Sequence, residues 1–327
     1  VEVYFSNACN FKCSYCSPQF STAWAKETEE HGSWPTSTPH NDPAHFKGDR
    51  KVMPQNDNPY VEAFWKWWPE LYPQLRHFRM TGGEPMMDKN TYKVFDYVIE
   101  NPKKDLHLNV TSNFCPPTPA LGDRYFNMVK TMCDGAMIEH FMQFVSLDAW
   151  GERAEYIRNG MDFSTVWSNV HRYLHDIKGY NSITFIITMN NLSVSSLKEL
   201  LENILRLREQ YSTTYQRVWF DTPILRFPIW QHIGLLDESF NHYFEEAIQF
   251  MKDHQHDSDM AGFRDFEIAK LTRTYRIMQQ GLENKEQHLA NFWRFFRTHD
   301  SRRETDLLGV FPEYKDWFKL CQQATKT

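Results

Sequence analysis

Three cysteines close to the start of the sequence, Cys9, Cys13 and Cys16, are the residues best suited to chemistry. They are separated by three and two residues and follow a short apolar segment, so one tight loop can direct three sulfurs to a common point. Three thiolates suit an iron–sulfur cube with one iron left open, whereas a structural zinc site takes a fourth protein ligand. No second Cys-x-x-Cys pair follows to supply that ligand. A zinc loop and buried structural thiols remain the alternatives at this point.

The cysteine spacing resembles the cluster-binding motif of the radical S-adenosylmethionine (radical SAM) enzymes. The segment Gly82-Gly83-Glu84-Pro85 is similar to that family's GGEP element, and Tyr15, between the last two cysteines, matches an aromatic residue beside the adenine. The resemblance implies that the cysteines hold one 4Fe–4S cluster and that its open iron chelates S-adenosylmethionine (SAM). Reduction of the cluster would then cleave SAM to methionine and a 5′-deoxyadenosyl radical, which abstracts hydrogen from a substrate.

The resemblance also implies which residues surround SAM. Gly82 and Gly83 would let backbone approach the methionine amino group, Glu84 would add negative charge, and Arg158 resembles an arginine that reaches the methionine carboxylate. The other implied contacts are polar residues at strand ends, Ser112, Asn113, Ser146 and Asp148, and two apolar residues near adenine, Met189 and Leu225. Capping, turn and core roles are the alternatives for these residues.

Fewer residues point to a substrate. Asp221 and Arg226 leave the last predicted strand and would face the mouth of the site, while Cys115 or Cys321 could donate a hydrogen atom to a substrate radical. A basic group that includes Arg302 and Arg303 could bind a carboxylate or phosphate, or could simply end a helix.

Hydrophobic periodicity predicts strands that alternate with helices. The predicted strands are 1–7, 77–80, 106–111, 141–147, 183–189 and 217–220, and the predicted helices between them begin near residues 59, 89, 121, 162 and 194. This alternation predicts an α/β fold, a partial (β/α)6 TIM-like barrel over residues 1–226, with chemistry at the carboxyl ends of the strands. Residues 17–58 read as a long loop, either a lid or a solvated insertion, with His31, His40 and His45 on the surface.

Residues 227–327 predict a mostly helical C-terminal extension. The only cysteine of the chain beyond residue 133 is Cys321. The chain therefore departs from the twitch and SPASM branches of the family, which bind auxiliary clusters through several cysteines. We therefore expect a single cluster.

Composition limits the class of protein. The 327 residues carry a net charge of −6, which argues against a general nucleic-acid-binding protein. We expect neither a membrane span nor a signal peptide, and the unpaired thiols favour the cytoplasm.

The sequence therefore predicts a radical SAM enzyme that acts on a small polar or anionic substrate, with an electron donor such as flavodoxin or ferredoxin. Whether it would be classed as an oxidoreductase, a transferase or an isomerase is left open. Two alternatives stay open: modification of a peptide or protein side chain, for example by epimerisation or cross-linking, and an iron–sulfur or zinc protein without catalysis.

Overall fold

The structure is a computed structural model that describes residues 1–46, 58–212, 214–256 and 260–326, apart from the side chains of residues 45 and 46. Its eight strands within these ranges are β1 Glu2–Tyr4, β2 Lys12–Cys13, β3 His77–Thr81, β4 Lys103–Ser112, β5 Ile138–Ser146, β6 Arg158–Asn159, β7 Asn181–Ile186 and β8 Val218–Asp221. Six of them form one sheet in the order β1-β3-β4-β5-β7-β8, and every neighbouring pair is parallel. The remaining two, β2 and β6, form a small antiparallel pair.

Helices connect the strands and continue after the sheet. The described helices are α1 Thr22–His31, α2 Pro59–Leu71, α3 Lys89–Glu100, α4 Pro119–Asp134, α5 Glu152–Ile157, α6 Phe163–Asp176, α7 Leu197–Tyr211, α8 Asn241–Asp253, α9 Asp265–Gln280, α10 Lys285–Arg303, α11 Leu307–Val310 and α12 Lys315–Gln323. Polar residues cap several of them where the chain leaves a strand or turn: Asp88 begins α3, Thr118 begins α4 and Asp162 begins α6, each accepting a backbone N–H.

The two faces of the sheet have different environments, and β4 shows the difference most clearly. Leu106, Leu108 and Val110 are fully buried, whereas His107 and Thr111, which point to the opposite face, are only half-buried. Since side chains alternate along a strand, one face of β4 packs against the helices and the other, called the inner face below, is only partly covered. The sequence prediction of six parallel strands alternating with helices is confirmed.

The segment predicted as a long loop differs from the prediction. Residues 22–31 form α1, whose amino end is capped by Ser21 and whose Trp24 is completely buried. The helix was missed because its exposed face is polar and only one large apolar side chain marks the buried face. The prediction of a surface position for His40 is wrong, because this ring is 5% exposed and packs edge-on against Trp230. The second half of the predicted loop, residues 47–57, lies outside the described residues, as does the side chain of His45.

The helices after β8 share one continuous hydrophobic core with the sheet. A buried ion pair adds to this packing: both side chains of Arg208 in α7 and Glu267 in α9 are at most 1% exposed, and two guanidinium nitrogens contact the carboxylate at 2.6 and 3.1 Å. Within the described part of the chain, we find no helix that is long and apolar enough to cross a membrane.

Candidate functional site

The cysteine loop leaves the carboxyl end of β1 and returns to the body of the protein through the β2–β6 pair. A turn closes its second half, where the Cys16 amide donates to the Cys13 carbonyl at 2.9 Å. In its first half, the Phe11 amide donates to the Cys9 sulfur at 3.4 Å. The short spacing in sequence thus produces a compact loop whose three thiols all line one cavity.

This cavity of about 210 Å³ lies at the carboxyl ends of the parallel strands. Besides the cysteines, it is lined by the following residues from the loop and from strand ends: Phe11, Tyr15, Phe20, Gly82, Gly83, Thr111, Ser112, Asn113, Ser146, Arg158 and Thr188. The structure therefore brings together the cysteine loop, the glycine turn, and strand-end residues that lie far apart in sequence. Ligands of open parallel sheets commonly bind at this edge.

The glycine turn after β3 packs directly on the chain that enters the cysteine loop. The Gly83 amide donates to the Ser6 carbonyl at 3.1 Å and the Glu84 amide donates to the Ala8 carbonyl at 2.6 Å. A Cβ atom at Gly83 would lie 2.4 Å from the Ala8 carbonyl oxygen, which is closer than real Cβ contacts. In the structure, Gly83 is therefore required for the approach of one backbone segment to another, in addition to lining the cavity.

Glu84 holds the turn and the end of β4 together. Its buried carboxylate accepts three hydrogen bonds, from the Met86 amide at 2.9 Å, the Ser112 hydroxyl at 2.7 Å and the Asn113 amide at 2.6 Å. Burial raises the pKa of Glu84 to about 7, although these donors oppose the rise. Glu84 is not among the cavity-lining residues, so it fixes the residues that line the cavity.

Arg158, Asp148 and Tyr15 form a second buried group beside the thiols. Both oxygens of Asp148 are in use: one accepts from Arg158 at 2.9 Å and from the Thr188 amide at 2.8 Å, and the other accepts from the Tyr15 hydroxyl at 2.6 Å. Another guanidinium nitrogen of Arg158 lies 3.7 Å from the Cys13 sulfur. Burial alone would lower the pKa of Arg158, but Asp148 and Tyr15 outweigh it and raise that pKa well above its usual value. The arginine therefore carries a permanent positive charge at the cavity wall.

Burial raises the pKa of all three thiols, to about 12 for Cys16. Arg158 opposes the rise for Cys13, while the neighbouring thiol of Cys13 adds to the rise for Cys9 and Cys16. Three thiolates could share this space only if a cationic group neutralised them, which is the property expected of metal ligands.

Some residues predicted to contact the cofactor or substrate lie elsewhere. Met189 and Leu225 are buried and bonded to each other, with the Leu225 amide donating to the Met189 carbonyl at 2.9 Å. Asp221 forms an ion pair with Lys270 of α9, and Arg226 is exposed. None of these predicted residues is among those that line the cavity.

The two candidate hydrogen-donor thiols are also separated from the cavity. Cys115 lines a neighbouring cavity of about 450 Å³, and Asn10 bridges the two regions by donating to the Cys115 carbonyl at 2.9 Å and accepting from the Asn113 amide group at 2.8 Å. Cys321 is fully buried in α12. Their roles as hydrogen donors stay predictions.

Sequence reasoning missed four residues of the cavity wall, namely Phe11, Phe20, Thr111 and Thr188. A signal for the threonines existed, because Thr111 immediately precedes Ser112 and its side chain points to the inner face, and Thr188 follows β7. Two arginines of the predicted basic group bond to other parts of the protein: Arg303 binds Glu27, and Arg302 donates to the His31, Gly32 and Ser33 carbonyls.

Three thiols that line one cavity are a donor set that can hold an iron–sulfur cube. Among the described residues, no group of three or more His, Cys, Asp or Glu side chains is arranged to hold one ion. A cube bears its thiolate ligands on different irons, so its ligands need only face the same space. Arg158 contributes a further feature: its Nε is buried and has no hydrogen-bond partner within the part of the chain that the structure describes.

No protein-family model matches the chain, and no curated protein sequence is significantly similar to it.

Proposed function

We propose that the chain is a radical SAM enzyme with a partial-barrel fold, in which Cys9, Cys13 and Cys16 hold one 4Fe–4S cluster and SAM occupies the adjoining cavity. The observation that carries this proposal is the convergence of three thiols, a glycine turn and a buried arginine on one cavity at the strand ends. When bound and reduced, the cluster would supply the electron that cleaves SAM and generates a 5′-deoxyadenosyl radical. Cytoplasmic location and an electron donor such as flavodoxin or ferredoxin belong to the same proposal.

The residues of the chain have distinct tasks in this proposal. Arg158 offers a permanent positive charge to the carboxylate of SAM, with Asp148 holding its position. Ser146 and Thr188 offer short polar side chains to the ribose, and the glycine turn offers backbone close to the amino group. The cavity is smaller than the roughly 300–1,000 Å³ typical of small-molecule sites, so part of the cofactor would extend over the inner face.

The substrate would approach from that inner face, which is only partly covered. Its half-buried wall carries the polar and charged side chains of Arg79 and Thr111, which are bonded to each other at 2.9 Å. The same wall carries Phe144 under the Arg79 guanidinium and Glu2 beside it, so a small polar or anionic substrate is the sequence-based part of this proposal.

The proposal is tested by anaerobic reconstitution with iron and sulfide, followed by reduction with dithionite in the presence of SAM. We expect methionine and 5′-deoxyadenosine in equal amounts from the wild type and neither product from Cys13→Ala. Cys133→Ala, which removes a buried thiol of α4 outside the cavity, is the matched control and should retain cleavage. Iron-free wild-type protein, or equal cleavage by Cys13→Ala, would overturn the proposal.

A further inference from the structure

The carbonyl groups of the cysteine loop are bonded to side chains from outside the loop. Ser21, the residue that caps α1, donates its hydroxyl to the Phe11 carbonyl at 2.6 Å. The indole N–H of Trp24 in the same helix donates to the Cys13 carbonyl at 2.8 Å. Since both donors are buried, these bonds are shielded from water and define the path of the loop backbone.

Arg303, the last residue of α10, supplies the third such bond. Its guanidinium donates to the Lys12 carbonyl at 2.7 Å, directly before Cys13. The opposite edge of the guanidinium donates two hydrogen bonds, of 2.8 and 3.1 Å, to the Glu27 carboxylate. The side chain is 1% exposed, and the guanidinium carbon Cζ lies 4.8 Å from the centre of the Trp24 ring. A planar group bonded on two edges and covered by an aromatic ring has only one available position.

The arrangement brings a buried positive charge into contact with the cysteine loop. Glu27 bonds the far edge of the guanidinium, whereas the remaining nitrogen faces the loop. Charges act over longer distances in a buried environment than in water, because the effective dielectric constant is lower. A group bound by the three thiols would therefore experience the charge of Arg303.

We propose that Arg303 is a positioning residue that fixes the cysteine loop and, through its charge, raises the reduction potential of the cluster that the loop binds. This inference rests on the proposed function. Reduction adds a negative charge to the cluster, so a nearby buried cation stabilises the reduced form. The C-terminal helices, which carry no cluster ligand of their own in this proposal, would thus tune the cluster through the backbone of the cysteine loop.

The test compares four variants by redox titration of the reconstituted cluster, followed by electron paramagnetic resonance. Arg303→Gln removes the charge, Arg303→Lys keeps it, and Glu27→Gln removes the neighbouring negative charge. Arg302→Gln is the matched control, because Arg302 bonds the end of α1 and has no bond to the cysteine loop. Iron content and thermal unfolding of each metal-free protein are measured alongside.

We expect a more negative midpoint potential for Arg303→Gln, a potential near that of wild type for Arg303→Lys, and a less negative one for Glu27→Gln. Opposite shifts for the two partners of one ion pair are the signature of charge, because loosening of the fold alone would shift both in the same direction. Arg302→Gln should lower the unfolding temperature and shift the potential less than Arg303→Gln does, because Arg302 bonds the end of α1 and not the cysteine loop. If Arg303→Gln fails to fold, the remaining variants carry the comparison.

Equal potentials in wild type, Arg303→Gln and Glu27→Gln, or shifts of the same sign, would overturn this inference and leave the proposed function intact. Wild-type protein that retains no iron would overturn both, and this result is distinguishable because it appears before any substitution is made.

Discussion

The substitution Glu84→Gln tests whether a buried carboxylate holds the glycine turn to the end of β4. Glutamine keeps the shape of the side chain but replaces one accepting oxygen with an amide donor. Since the two oxygens of Glu84 accept three hydrogen bonds, at least one donor, for example the Asn113 amide, would then face another donor. Near pH 5, below its folded-state pKa, Glu84 is a neutral acid whose hydroxyl oxygen can still accept the Asn113 amide, whereas the glutamine nitrogen cannot. An unsatisfied buried N–H costs about 1–3 kcal/mol, which is the loss of unfolding free energy expected at that pH.

The size of this loss should depend on pH. The folded-state pKa of about 7 lies above the ordinary value of 4.5 because the carboxyl group is buried. The contribution of Glu84 to stability is therefore fully present below pH 4.5 and declines as the pH rises through 7. Glutamine does not titrate, so the difference in stability between the two proteins should shrink, or reverse, by roughly 2–3 kcal/mol between pH 5 and pH 8.

Urea unfolding of the metal-free proteins at a series of pH values measures this difference directly. Glu100→Gln, at an exposed position at the end of α3, is the matched control and should change stability by less than about 0.5 kcal/mol at any pH. A difference between wild type and Glu84→Gln that stays constant from pH 5 to pH 8 would refute the reasoning. It would mean that the three hydrogen bonds outweigh burial and keep the pKa of Glu84 near its ordinary value.

Three further substitutions separate the parts of the account. Gly83→Ala places a Cβ atom 2.4 Å from a backbone oxygen and should abolish iron retention. Gly32→Ala has open space around it but a φ of +72°, so it should cost about 1–3 kcal/mol of stability through backbone strain and leave iron binding unchanged. Arg208→Met leaves the buried Glu267 unpaired and should lower the unfolding free energy by about 3–5 kcal/mol in urea titrations, while adding Glu267→Leu should restore most of it. Cys321→Ala should leave the rate of SAM cleavage unchanged, because this thiol is buried in α12 and does not line the cavity. A loss of cleavage with iron retained would contradict the position of Cys321 outside the site.

Much of the sheet could be predicted from sequence because parallel strands are short apolar segments between helices. The predicted strand 77–80 corresponds to β3 at His77–Thr81, and the predicted strand 141–147 to β5 at Ile138–Ser146. Helix α1 could not be predicted in this way, because residues outside the helix stabilise it. Trp34, shortly after the helix, packs on Trp24, and Arg303, far along the chain, binds Glu27. Its own sequence is mostly polar, and an amphipathic period is hardly visible.

The gathering of strand-end residues on one cavity could be predicted, but the contacts among them could not. Polar residues after parallel strands must gather at one edge, so Ser112 and Ser146 were placed together from sequence alone. The sequence does not reveal which polar side chains will be hydrogen-bonded to other residues of the protein. Asp148 was expected to face the cofactor, yet in the structure both of its oxygens are bonded to Arg158, Thr188 and Tyr15. Such pairings depend on distances that only the folded chain defines.

The central claim is that three thiols hold a reducible cluster with one open iron beside the cavity. It is tested most directly by electron paramagnetic resonance of the reduced, reconstituted protein before and after addition of SAM. The account predicts a cluster signal in the wild type that changes when SAM binds, and no such signal from Cys13→Ala. A protein that holds no iron, or a cluster signal that SAM leaves unchanged, would contradict it.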